Sequence, residues 1–122
     1  MSVSSPTSTT AGPLIAASKV NGTNVYNPAG EKLGSVYDVM IEKVSGRAKY
    51  GVMSFGGFLG IGEKYHPLPW STLTYDERRG GYVVNLSKDV LEAAPSHSAD
   101  FQWTTDYGRQ VDDYYKVPGS GM

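Results

Sequence analysis

From Lys32 to Val44 the chain places apolar residues at odd positions, Leu33, Tyr37, Val39 and Ile41, and mixes Asp38 and Glu42 with Val36 and Met40 at even ones. A period of two predicts a half-buried strand with one face on a core. Ser45-Gly46-Arg47 turns the chain, and 48–55 returns as its hairpin partner. Shorter strands are expected at 23–26, 65–68, 74–76 and 82–86. Asn27-Pro28-Ala29-Gly30 and Glu77-Arg78-Arg79-Gly80-Gly81 form turns between them. Pro67 and Pro69 remove ladder donors, which assigns their strand to an edge or a bulge. Ahead of these, Leu14-Ile15-Ala16-Ala17 reads as a short approach strand or turn. Behind them, Ser87 is placed to cap a helix over 88–94, which Pro95 stops. Five to six short strands followed by one short helix predict a small all-β barrel.

Two stretches exceed what such a barrel needs. The first, Ser54 to Trp70, sets the bulky Phe58, Leu59 and Ile61 among Gly56, Gly57, Gly60 and Gly62. Glycine supplies backbone freedom there, but a solvated loop has no use for such side chains. The second is the tail beyond Pro95. Tyr107, Val111, Tyr114 and Tyr115 fall at i, i+4, i+7 and i+8, one face of a helix. Trp103 precedes that helix, with Thr104 or Thr105 as its cap and Asp106 near its positive end. Gly108 weakens it by about 1 kcal/mol relative to Ala. A helix this short needs a surface to dock on. The chain thus divides into a lead-in (1–13), a barrel (14–95), and a linker with an aromatic tail (96–122).

The 122 residues suffice for one modest domain, and a net charge of −1 offers no footprint for nucleic acid or an anionic membrane. With no cysteine, disulfides, thiolate metal sites and Cys nucleophiles are excluded. Residues 1–12 are Ser/Thr-rich, without the basic start and apolar run of a secretory signal, and no window approaches a spanning helix. A cytoplasmic protein without direct membrane insertion is the expectation.

Candidate chemistry is sparse. His66 and His97 show no metal-ligand spacing, so structural or solvated roles are expected. Asp100, Asp106, Asp112 and Asp113 lack the alternating oxygen ligands, central Gly and closing Glu of a calcium loop, and read as a solvated helix face. Ser54 is not in a nucleophile elbow, and the run from Gly56 to Gly62 lacks the G-K-[ST] ending of a phosphate loop. Asp38 and Glu42 share a strand face that reads as solvent, and Arg78-Arg79 is too small a patch for nucleic acid. Neither an enzymatic activity nor a cofactor or metal is expected.

Several ordered motifs resemble one family. They are Lys19-Val20-Asn21-Gly22, the run NPAGEKLG from Asn27 to Gly34, the run SFGGFLGIGEK from Ser54 to Lys64, Pro69-Trp70, and Leu91-Glu92-Ala93-Ala94-Pro95. Together they look like a PRC-barrel domain, the β-barrel named from the cytoplasmic part of the photosynthetic reaction-centre H subunit. The resemblance covers roughly 16–95, and the tail is similar to extensions on stand-alone bacterial members. It implies adaptor or assembly roles rather than catalysis. The chain departs from the H subunit in lacking its membrane helix. It also lacks the RNA-processing domain that precedes the barrel in a ribosome maturation factor. The expected function is a non-catalytic binding or assembly module acting through protein contacts, with a homodimer favoured. A regulatory protein at a membrane electron-transfer complex and a ribosome or RNA-processing accessory factor are the alternatives. The residues expected to carry contacts are Phe58, Leu59, Ile61, Trp103, Tyr107, Val111, Tyr114 and Tyr115.

Overall fold

The computed structural model describes residues 12–55, 64–98 and 101–116. In chain order the elements are α1 (Ala17–Val20), β1 (Asn24–Tyr26), β2 (Lys32–Ile41), β3 (Ala48–Phe55), β4 (Lys64–Pro69), β5 (Thr74–Asp76), β6 (Gly81–Val83), α2 (Lys88–Glu92) and α3 (Thr105–Tyr115). The six strands form one sheet in the order β4-β3-β2-β1-β6-β5, antiparallel throughout except for the parallel pair β1–β6.

The connection between the end strands curls this sheet. A single 3₁₀ turn, Trp70–Thr72, and Leu73 join Pro69 at the end of β4 to Thr74 at the start of β5. That link spans at most about 18 Å fully extended. The two edges of a flat six-stranded sheet would lie about 24 Å apart. The sheet therefore wraps round on itself, and Val25, Val36, Met53, Leu68, Tyr82 and Val84 share one buried cluster inside it with Leu91 of α2. The small β-rich architecture with a short helix after the last strand, expected from the strand spacing, is what forms.

Strict alternation along β2 fails, for a local reason. Val36 pairs with Met53 and Asp38 with Val52, so Tyr37 is an extra residue of β2; in a second shift, between Met40 and Ile41, the extra residue is Lys49 of β3. Each extra residue changes the side-chain parity and adds twist. Leu33 and Val36, of opposite parity, are both buried because the register with β1 also shifts, leaving Leu33 as an extra residue between Lys32 and Gly34. Tyr37 and Ile41 are exposed. Residues 14–17 form no strand. They lead into the single helical turn of α1. The last strand ends at Val83 rather than Leu86, although Val84 N–H still donates to the Tyr26 carbonyl.

The turn chemistry holds. Gly30, Gly46 and Gly80 take positive φ, and the Ser87 hydroxyl accepts from Val90 N–H at 3.2 Å as the α2 cap. β4 is an end strand, as its prolines required. Tyr65 turns its backbone N–H and carbonyl outward, and the next outward positions are Pro67 and Pro69, which have no N–H to offer. The open edge is thereby blunted against further strand addition.

On the barrel side of β4, His66 packs edge-on against Phe55 at 5.4 Å, and its Nδ1 is buried with no hydrogen-bond partner among the described residues. Burial, with smaller contributions from Lys64 and His97, depresses its pKa to about 4. Between that value and the ordinary 6.5 the unfolded chain binds a proton that the folded one refuses, so folding stability falls as pH drops through this window. The full shift corresponds to at most about 3–4 kcal/mol. In urea titrations, His66→Leu should flatten the loss of stability between pH 6.5 and 4. An unchanged slope would assign that loss to other groups.

Candidate interaction surface

β3 reads Tyr50-Gly51-Val52-Met53 without polar interruption and is buried on both faces. Met53 and Phe55 point into the barrel, while Tyr50 belongs to a second cluster with Tyr107 and Val111 of α3. The outer face of β3 and β4 is therefore covered by the tail of the same chain. A strand with two buried faces reads as a continuous apolar run rather than an alternation. This run was the sequence signal that a layer would cover β3.

The chain reaches this face through His97, whose backbone N–H and carbonyl each bond those of Tyr65 at 3.0 Å, using the one outward peptide that β4 offers. α3 begins at Thr104, whose hydroxyl accepts from Tyr107 N–H at 3.1 Å, and ends at Lys116 in the left-handed conformation. Gly108, which lowers intrinsic helicity, is buried facing the Tyr50 and Trp103 side chains. A Cβ there would sit 3.4 Å from the Tyr50 hydroxyl and 3.5 Å from Trp103 Nε1. These are ordinary contact distances, so packing does not call for glycine at this position. At its far end α3 is tied to α2 by the Tyr114 hydroxyl, which donates to the Val90 carbonyl at 2.6 Å.

Two polar pairs are enclosed in the layer. The Tyr50 hydroxyl donates to Asp112 Oδ1 at 2.9 Å, and His97 Nδ1 lies 2.9 Å from the Tyr107 hydroxyl. Asp112 corrects the solvated reading of the tail's acids: it is buried, whereas Asp106 and Asp113 are exposed. His97 is a structural partner rather than a solvated linker residue, and burial lowers its pKa. Burial also raises the Tyr107 phenol to about 12 and holds the Tyr50 phenol above its usual range, the latter reinforced by Asp112.

The rings form a continuous row. Tyr37 lies 4.2 Å from Tyr65, Tyr65 6.1 Å from His97, and His97 is stacked on Phe101 at 4.7 Å. The row continues from Phe101 to Tyr107 at 4.6 Å, Tyr107 to Trp103 at 5.1 Å, and Trp103 to Tyr50 at 4.9 Å. Tyr50 and Tyr107 are buried, while Tyr37 and Phe101 remain 46% and 39% exposed.

Of the candidate contact residues, the structure brings together Trp103, Tyr107, Val111 and Tyr115. Val111 is wholly buried in its own chain, and Tyr115 packs between the two clusters with its hydroxyl unpartnered among the described residues. Tyr114 packs on Tyr115 and reaches α2. Phe58, Leu59 and Ile61 lie outside the described residues. Sequence reasoning missed Tyr37, Tyr50, Tyr65, His97 and Phe101, which are scattered over three strands and the linker ahead of α3 and are brought together by sheet register and the return of the tail. Among the described residues no three His, Asp or Glu side chains cluster as metal ligands, and no helix is long and apolar enough to cross a membrane.

The curled sheet with its closing α2 spans the part of the chain that a family model, the PRC-barrel domain, matches: residues 13–91. The chain belongs to the PRC-barrel family. It is also similar to an uncharacterized protein of Deinococcus radiodurans, 26% identical over 95 residues, an alignment that takes in 71% of this chain and 34% of that protein. The chain thus spans about a third of that relative's length. In this PRC barrel the strap at His97 and the whole of α3 lie beyond the matched residues, while Tyr37, Tyr50 and Tyr65 of the aromatic row lie within them.

Proposed function

We propose that this PRC barrel is a non-catalytic cytoplasmic module that works by protein–protein contact, with a second copy of itself as the first partner. The observation carrying this reading is the row of stacked rings that is buried at Tyr50 and Tyr107 but emerges into solvent at Tyr37 and Phe101. Half-exposed aromatic rings on a rigid support are what protein interfaces are enriched in. Closed two-fold pairing is the commonest way for such a surface to be covered. The polar groups of the layer are engaged with one another, Asp112 with Tyr50 and His97 with Tyr107, which supports a structural use of them.

Sedimentation equilibrium tests the reading. The full chain is expected to dimerise at micromolar concentrations. Replacing both Tyr37 and Phe101 with Ser should weaken that association at least about tenfold, the equivalent of 1.4 kcal/mol. A native chain that stays monomeric at hundreds of micromolar, or a double variant that associates as the native does, would remove the basis for it.

A further inference from the structure

The 3₁₀ turn, the β5–β6 hairpin and the segment before α1 line a half-open cavity of about 370 Å³. Three of its walls are rings. Tyr82 is 4% exposed; Trp70 meets it at 5.6 Å with planes at 64°, and Tyr75 at 5.2 Å with planes at 78°. Leu14 and Ile15, from the extended segment before α1, complete the apolar lining, and Glu77 is its one charged residue. No hydrogen bond or ion pair engages the Glu77 carboxylate among the described residues. The Arg79 guanidinium, two residues on, is engaged elsewhere. Arg79 lies over the Tyr26 ring at 5.9 Å, donates to the Asn27 carbonyl and pairs with Asp76.

From this geometry we infer that the cavity is a binding site for a small quaternary ammonium group. Trp70, Tyr75 and Tyr82 line one space, and a cation over the face of such a ring is attracted by its quadrupole, whereas the ring edges are positive. The carboxylate at the rim adds charge of the complementary sign. A primary ammonium brings three N–H donors, which carbon and ring surfaces leave unsatisfied. A trimethylammonium group carries its charge on methyls and leaves no donor unpaired. The volume, at the small end for ligand pockets, suits a head group rather than a large molecule. This site is independent of the self-association proposed above and shares no residue with it.

The experiment uses the full chain, titrated with choline, with tetramethylammonium and with the uncharged tert-butyl isostere of choline. The reporter is the Trp70 indole N–H resonance, with that of Trp103, which does not line the cavity, as reference. Both cations should shift the Trp70 signal saturably while the isostere binds at least tenfold more weakly. Tyr75→Leu should weaken choline at least tenfold and Glu77→Gln several-fold. Glu77 is an exposed turn residue, so that variant remains folded and readable. Vesicles of phosphatidylcholine against phosphatidylglycerol then separate the sources. Capture by the first alone assigns a lipid head group, and capture by neither assigns a free solute. An isostere that binds as well as choline, or a Trp70 signal that no cation moves, overturns the inference.

Discussion

Val111→Asp is expected to release α3 from the sheet while leaving the barrel folded. Val111 is wholly buried between Tyr50, Tyr107 and the partly buried Trp103 and Tyr115. Burying a carboxylate without a counter-charge among these rings costs several kcal/mol, more than an exposed tail surrenders by leaving. Once undocked, an eleven-residue helix has too few hydrogen bonds to persist in water. Amide exchange should therefore show α3 losing protection, with Trp103 fluorescence shifting towards that of solvated indole. Urea unfolding should keep its cooperative transition, because Met53, Leu68 and Leu91 belong to the other cluster. Val111→Ala, which leaves a small cavity and no charge, should loosen the layer by only about 1–3 kcal/mol. Protection of α3 that survives in Val111→Asp would mean that the strap at His97 and the Tyr114–Val90 bond hold the tail without the aromatic layer.

The same contrast between barrel and layer marks how far the sequence could be read. Elements whose signals are local were legible: the turn at Asn27–Gly30, the caps Ser87 and Thr104, the helix face of Tyr107 and Val111, and the proline-marked edge strand. Each depends on residues within about one turn of each other. What was not legible depends on register. The bulge at Tyr37 moves it from its place in an alternation to an outer face beside Tyr65, twenty-eight positions away and two strands across. Asp112 looks solvated in a run of two aspartates, and only the docking of α3 brings the Tyr50 hydroxyl to it. His97 resembles a linker residue until its backbone is seen to satisfy the one outward peptide of an edge strand otherwise capped by proline. The unbroken apolar run of β3 is the exception, a local signal of two-sided burial. Pairing it with the aromatic tail would have predicted that the tail folds back.

Gly34→Ala, adding one methyl, should prove more damaging than any surface change in the chain. Gly34 sits in β2 opposite Val25, and its backbone is ordinary extended strand, so conformational freedom is not what requires glycine there. Space is. A Cβ at this position would fall inside the van der Waals shell of the Ser54 carbonyl oxygen and lie 3.2 Å from Met53 Cγ. The obstacle is backbone rather than the free end of a side chain, so relief requires β2 and β3 to move apart. That pairing, with its bulge at Tyr37, carries the core residues Val36 and Met53 on one side and the support for α3 on the other. Overpacking a core side chain costs about 1–3 kcal/mol, and a collision with a paired backbone should exceed that range. Gly46→Ala supplies the comparison. Its φ of +78° is strained for alanine, but nothing lies within 4 Å of the added methyl. That turn variant should lose only about 1–2 kcal/mol. Urea midpoints measured side by side decide the matter. If Gly34→Ala is no less stable than Gly46→Ala, then β2 and β3 can separate at little cost and the close approach at Gly34 is not what fixes their register.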